Sequence, residues 1–484
     1  MSASALIWLR RDLRVADNPA LHAAVQDGLT PLPVYVHDEP AGHWPLGQAA
    51  GWWLHHSLNA LDRALCQLGS RLLVARGECG EQLLRLCKAT GAKHIFCNRV
   101  YEPRARERDT PIRAALRDRG IQLREFNGSL LCKPNQLLKA DATPYRVFTP
   151  FWNALQHHAP QREALPAPDS LPAPPACTDN ELSPDDLGLL PHIPWYSGFE
   201  AHWQPGEDGA HRALRKFCST ALADYPDHRN LPALAGTSRL SPHLHFGELS
   251  PRQAWQALRH ARDERTAAGT VAATESWQRQ LAWREFAYHL LHHFPDSTDA
   301  PLDTRFEQFP WRADYAADLE RWQRGETGFP IVDAGMRELW HTGWMHNRVR
   351  MIVASLLTKN LLIPWQEGAR WFWDTLVDAD LANNTLGWQW TAGCGVDAAP
   401  YFRVFNPIRQ GERFDADGSY VRRWVPQLQG LPAKWIHQPW AAPANVLADA
   451  QLSLGERYPH PMVDLQHSRA RALAVWERIK DLRE

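Results

Sequence analysis

Short apolar runs alternate with longer amphipathic stretches over the first 128 residues. Ala5–Leu9, Leu32–Val36, Arg71–Ala75, His94–Cys97 and Ile121–Phe126 have the length and side chains of buried strands. Between them, apolar residues recur at helical spacing over about 19–27, 48–68, 80–90 and 104–119. This alternation predicts a parallel sheet covered by helices on both faces, a Rossmann-like α/β unit. No GxGxxG follows the first strand, so the dinucleotide fingerprint is missing and an ordinary Rossmann dehydrogenase is disfavoured.

The pattern breaks at residues 159–206, which hold ten prolines, with Pro172, Pro174 and Pro175 nearly adjacent. Proline fixes its own φ and donates no hydrogen bond, so this stretch reads as an arm laid over a surface. From about residue 210 strand signals vanish. Helical spacing recurs in 211–223, 251–262, 275–293, 331–342, 346–361 and 367–376, and Ser250-Pro251 has the form of an N-cap followed by proline at N1. The expected organisation is an α/β unit over 1–135, a long Pro-rich connection over 136–209, and an all-helical unit over 210–484.

Composition sharpens this outline in three places. Tryptophan is the outlier, with 23 residues against 10 tyrosines, as expected of a protein that stacks rings or moves electrons, although core packing also absorbs indoles. The net charge of −1 hides a basic excess in the first 150 residues and an acidic one in 151–224. Any nucleic-acid surface is therefore a local patch. The eight cysteines (66, 79, 87, 97, 132, 177, 218 and 394) show no CxxC and no metal spacing, which favours reduced thiols. With no secretory h-region and no membrane-length apolar run, a soluble, intracellular protein is expected.

The densest chemistry lies in Asp378–Trp390, where Asp378, Asp380 and Asn384 stand beside Trp388 and Trp390. Buried charges and amides need partners. Ribose hydroxyls and flavin ring nitrogens would serve, with indoles as walls for a planar ligand; a capped helix end before a Trp-rich core accounts for the residues equally well. Thr237-Ser238-Arg239-Leu240-Ser241 offers hydroxyls and a cation where a helix begins, suited to phosphate or to simple capping. Gln280 and Trp283 share a helix face, as an amide–indole pair or as part of an ordinary amphipathic helix. In Trp344–Met351, Asn347 and Met351 share a face, Arg348 can neutralise a phosphate, and Arg350 can pair with Asp378 if the two segments meet.

Together these segments identify a family. Leu9–Pro19, Phe148–Phe151, Gly236–Ser241, Trp283–Phe286, Gly328–Met336, Trp344–Met351 and Asp378–Pro407, in that order, resemble the photolyase/cryptochrome family over nearly the whole chain. The likeness is greatest to the class I cyclobutane pyrimidine dimer photolyases. The resemblance implies FAD in the helical unit, with Tyr225 and Thr237, Ser238, Arg239, Leu240 and Ser241 at its phosphates and ribitol. Trp277, Asp378 and Asp380 would line the rest of the pocket, Asn384 would face N5 of the ring, and Arg350 would bridge to Asp378 beside it. It implies light-driven opening of a flipped-out cyclobutane dimer, with Trp283 and Trp390 as walls, Gln280, Asn347 and Met351 as near contacts, and Arg229 and Arg348 on phosphates. A relay through Trp388, Trp365 and Trp311 would reduce the resting flavin. UV-damaged DNA is the implied partner of a cytoplasmic monomer with no membrane association and no obligate protein partner.

Two departures bear on specificity. Gln280 stands where dimer photolyases carry Glu and where (6-4) photolyases carry Gln, whereas Asn347 stands where the latter have His. Arg104 and Ala105 replace the Asn-Glu pair of folate-binding members. A second antenna chromophore, methenyltetrahydrofolate or a deazaflavin, is thus possible without being specified. A (6-4) photolyase or a cryptochrome-type receptor is the alternative function, although the chain ends soon after the helical body, where cryptochromes often continue. A generic flavin oxidoreductase lacks support, since no nicotinamide motif is present.

Overall fold

The computed structural model describes residues 3–38, 44–158, 162–174, 182–263 and 268–481; Pro175 and Cys177 lie outside them. Strands β1 (Ser4–Leu9), β2 (Thr30–His37), β3 (Leu73–Arg76), β4 (His94–Asn98) and β5 (Gln122–Phe126) form one parallel sheet in the order β3-β2-β1-β4-β5. Helices α1 (Pro19–Gln26), α2 (Gln48–Gln67), α3 (Cys79–Thr90) and α4 (Pro103–Asp118) make the crossovers. Two apolar clusters, one around Ile7 and Trp53 and one around Leu6 and Ile95, cover the two sheet faces, which explains the near-continuous apolar strands. β2 carries Pro31 and Pro33, but β3 pairs only with Val34–His37, so neither proline removes a bond from that ladder. β3 starts two residues later than its apolar run, because the Leu72 amide donates to Asp62 Oδ1 at 2.8 Å instead of to a strand.

Beyond β5 the chain is helical: α5 (Phe148–His158), α6 (Glu207–Thr220), α7 (Tyr225–His228), α8 (Ser241–Phe246), α9 (Pro251–Asp263), α10 (Ala268–His293), α11 (Ala316–Arg324), α12 (Pro330–Thr342), α13 (Asn347–Ser355), α14 (Trp365–Thr375), α15 (Leu381–Ala392) and α16 (Pro407–Phe414), with a last helix at Leu465–Ile479. Ser250 caps α9 as its sequence suggests, its Oγ accepting from the Gln253 amide while Gln253 Oε1 accepts from the Ser250 amide. α5 lies inside the expected connection, yet its buried Phe148, Phe151, Trp152 and Leu155 pack into the core with α10. The run 346–361 is not one α-helix. After Ser355 it widens into a π turn, Leu356–Asn360, which turns Lys359 toward the Arg403 carbonyl and Asn360 toward Ser468.

The sheet and the helical part meet through buried polar groups. Glu207, in the first turn of α6, accepts from the amides of Val15 and Ala16, and Arg14 donates to the carbonyls of Gly128 and Gly247. Glu248 accepts from Trp53 Nε1 and the Gly206 amide. The charged loop after β1 is thus a joint. Among the described residues no helix is long and apolar enough to cross a membrane.

Candidate cofactor site and nucleic-acid face

The segment Asp378–Trp390 opens a helix. Asp380 is the N-cap of α15, its Oδ1 accepting from the Asn383 amide at 2.9 Å and from Asn383 Nδ2 at 2.7 Å, so the capping role and the chemical one fall on the same residue. Asp378, just ahead, meets Arg350 of α13 as the spacing allowed, with Arg350 Nη2 2.9 and 3.0 Å from its two oxygens and Nε bound to the Met345 carbonyl. One turn into α15, Asn384 donates from Nδ2 to the Ala369 carbonyl of α14 at 3.0 Å. That anchor fixes the amide, and among the described residues no protein group engages its Oδ1.

Tyr225, Trp277 and residues 237–241 belong to α7, α10 and the turn into α8. Tyr225 and Trp277 are buried around Phe217, at ring distances of 5.5 and 6.1 Å. Arg239 holds φ at 53°, a left-handed conformation rare for a side chain of its size. Its guanidinium lies 4.5 Å from the Trp344 ring and 4.0 Å from Glu338, a buried carboxylate that also accepts from Tyr420. Leu240 is buried, while Thr237 and Ser238 are half-buried and Ser241 is exposed; none of the three hydroxyls has a protein partner among the described residues.

Apart from Arg229, which ends α7 with its guanidinium 5.4 Å from the Tyr225 ring, the residues expected to face DNA sit on α10, α13 and α15, helices in which α15 packs against both of the others. Trp283 stacks on Phe148 at 3.8 Å and 6°, which fixes its plane. Gln280, Met351 and Trp390 are half-buried and Asn347 is exposed at the start of α13. Gln280 makes only a long 3.5 Å bond to the Ser276 carbonyl, so its amide is barely committed. Arg348 donates to Asn230 Oδ1 at 2.8 Å and lies over the Phe414 ring at 4.5 Å, a ring that Arg413 also approaches at 5.1 Å. Burial, then Arg229 and Arg413, pull Arg348 below its ordinary value. Such like charges gain from an anion between them. Arg413 and Asn230 escaped the sequence reading, because nothing local distinguishes Arg413 from any surface arginine on α16. Removing Arg348 or Arg413 should each lower the slope of log affinity for DNA against log salt by about one contact, measured by titration at several salt concentrations; unchanged slopes would remove both from a phosphate-binding role.

Trp365 and Trp388 are buried in one cluster, with Trp311 half-buried against it. Among the described ring contacts none joins the three directly. Trp388 meets Phe372 at 5.0 Å and Trp322 at 6.2 Å, and Trp322, fully buried, was not among the expected members. Gly368 of α14 lets Trp388 in, since a methyl there would overlap its ring. Gly368→Ala should cost about 1–3 kcal/mol of stability and displace that indole, seen as a lower unfolding midpoint and altered Trp fluorescence; an unperturbed variant would show that the contact is slack.

Residues 5–172 match the family described as DNA photolyase, and residues 277–478 match the FAD binding domain of DNA photolyase. The chain is 46% identical over 480 residues to the deoxyribodipyrimidine photo-lyase of Agrobacterium fabrum, covering 99% of this chain and 98% of that protein. It is 38% identical to Cryptochrome-1 of Arabidopsis thaliana, covering 96% of this chain and 69% of that one. The crystal structure of a bacterial class III photolyase from Agrobacterium tumefaciens superposes with a TM-score of 0.95 at 46% identity, over 99% of this chain and 98% of that chain. The likeness thus extends to class III as well as to the class I enzymes that the motifs resemble. The chain belongs to the photolyase/cryptochrome family and carries its FAD-binding domain.

Proposed function

We propose that the protein repairs cyclobutane pyrimidine dimers in DNA, driven by light and by reduced FAD, as a cytoplasmic monomer. The residues fit that cofactor. The unpartnered hydroxyls of Thr237, Ser238 and Ser241, beside Arg239, suit a diphosphate and ribitol. The free Oδ1 of Asn384, on the helix that begins just after the Arg350–Asp378 pair, is an acceptor for a ring N–H. Bound by these residues, FAD would supply the photoexcited electron for ring opening. The protein's own part is to extract the lesion and hold it. A dimer pairs and stacks poorly, so flipping it costs least. Trp283 and Trp390 would take its faces, and Gln280 and Asn347 its carbonyl and N–H edges.

The observation that carries the reading is the arginine cluster around α13, where Arg348 and Arg413 share the face of Phe414 and Arg229 bears on Arg348, a phosphate grip on the helix that packs against α15. A (6-4) photolyase is the second reading, favoured by the amide at Gln280; Asn347, which can neither donate nor take up a proton as a histidine would, weighs against it. A light-harvesting second chromophore fits either reading. Arg104 and Ala105 fall in the first turn of α4, so a folate there would need contacts other than an Asn-Glu pair. The deciding experiment offers the purified protein a cyclobutane dimer and a (6-4) product under blue light and in darkness. Light-dependent turnover of the dimer is expected. Turnover of the (6-4) product alone would reverse the substrate assignment, and turnover of neither would favour a cryptochrome-type receptor.

A further inference from the structure

His245 is the last-but-one residue of α8 and almost wholly buried. Its Nε2 lies 2.6 Å from Nη1 of Arg11, in the loop after β1, and its Nδ1 lies 3.3 Å from Oδ2 of Asp380. Arginine has no acceptor, so the nitrogen facing Arg11 accepts and the ring proton sits on Nδ1, donating to Asp380. The joint itself fixes this tautomer. Arg11 is held from behind by Glu102 at 3.6 Å, and its carbonyl packs so closely on Gly247, at φ 70°, that no side chain fits there. Across Asp380, Tyr288 of α10 donates to the same Oδ2 at 2.5 Å, while Asn383 occupies Oδ1. Arg284 lies 4.9 Å from the Tyr288 ring and is bonded to Glu285 and to the Ser129 and Leu244 carbonyls.

We propose that His245 is a positioning residue: held by Arg11 of the sheet, it orients the Asp380 carboxylate and with it the head of α15, so that the N-terminal part helps to shape the cofactor pocket. This rests on the reading that Asp380 and Asn384 border FAD. Without the imidazole, the buried carboxylate keeps Tyr288 and Asn383 but loses one donor, and Arg11 loses its acceptor. Burial and the facing Arg11 guanidinium keep the imidazole below its ordinary value, so it acts as a fixed dipole. Burial pushes against the Asp380 anion, yet the hydrogen bond from His245, the charge of Arg284 and the Tyr288 hydroxyl outweigh it, holding that carboxyl well below the usual range.

The test compares His245→Phe, which keeps ring volume, with His245→Gln, whose amide can still donate to one side and accept from the other. In His245→Phe, FAD should bind about tenfold more weakly at pH 7, and acidification should release it at a higher pH than in wild type. The sign follows from linkage. A depressed carboxyl stabilises the fold above its unfolded value, and that contribution fades as pH falls. The gap in unfolding temperature between wild type and His245→Phe should therefore close as pH drops below about 4. His245→Gln should restore both properties. If the Phe variant fails to fold, Arg11→Met, changed at the more exposed end, should shift the release profile in the same direction. Release profiles matching wild type, or Gln no better than Phe, would overturn the proposal by leaving His245 a packing residue. Asp380→Asn separates the two readings. If it retains FAD like wild type, the placement of Asp380 beside the cofactor is wrong; if it disturbs binding while His245→Phe does not, only the link to His245 is wrong.

Discussion

Trp388→Phe is expected to abolish rapid photoreduction of oxidised flavin while leaving dimer repair by chemically reduced enzyme close to wild type. Trp388 is 2% exposed, wedged between Phe372 and Trp322 over Gly368, and its Nε1 has no hydrogen-bond partner among the described residues. Phenylalanine therefore breaks no hydrogen bond and keeps most of the packing. It removes only what an indole does better than a phenyl ring, which is to give up an electron. Transient absorption and a repair assay on pre-reduced enzyme measure the two effects separately. Matching losses in both assays would mean that Trp388 holds the site together and does not feed it with electrons.

The second large effect is expected at the Arg350–Asp378 pair. The Asp378 side chain is 4% exposed and that of Arg350 24%. Arg350→Met keeps the length of the stem but leaves a buried carboxylate facing nothing, at a cost of about 3–5 kcal/mol. The Met345 carbonyl loses its donor as well. The variant should unfold at a clearly lower temperature and retain less FAD. Adding Asp378→Asn should recover part of the loss, because a neutral amide tolerates burial without the guanidinium. Wild-type stability in the single variant, or no recovery in the double one, would show that the pair contributes little. A double-mutant cycle puts a number on the coupling.

Much of the fold was legible because it is written at short range. The five strands and the four crossover helices follow from apolar periodicity over a few residues, and Ser250 from its place before Pro251. Element ends were less legible where a distant group intervenes. Asp62 takes the Leu72 amide and delays β3, and the demands of Lys359 and Asn360 widen the end of α13 into a π turn. The helix Phe148–His158 lay hidden in a stretch whose neighbouring prolines dominate its composition, although its apolar face belongs to the helical core.

The residues of the candidate site were legible as types and as family motifs, and their contacts were only partly so. Arg350 with Asp378 was foreseen because each is conspicuous in its own segment. His245, Tyr288 and Arg413 were not, since nothing within a helical turn of any of them marks it out. Sequence alone determined which segments become strands and helices, which family they compose and which side chains are available for chemistry, because these depend on residues a few positions apart. Only the tertiary structure decided that His245 and Tyr288, 135 and 92 residues away, converge on one oxygen of Asp380. It also decided that three arginines from separate helices share one field. A buried carboxylate or a crowded cation is shifted by whatever the folded chain brings within a few ångströms, and that distance has no local signature in the sequence.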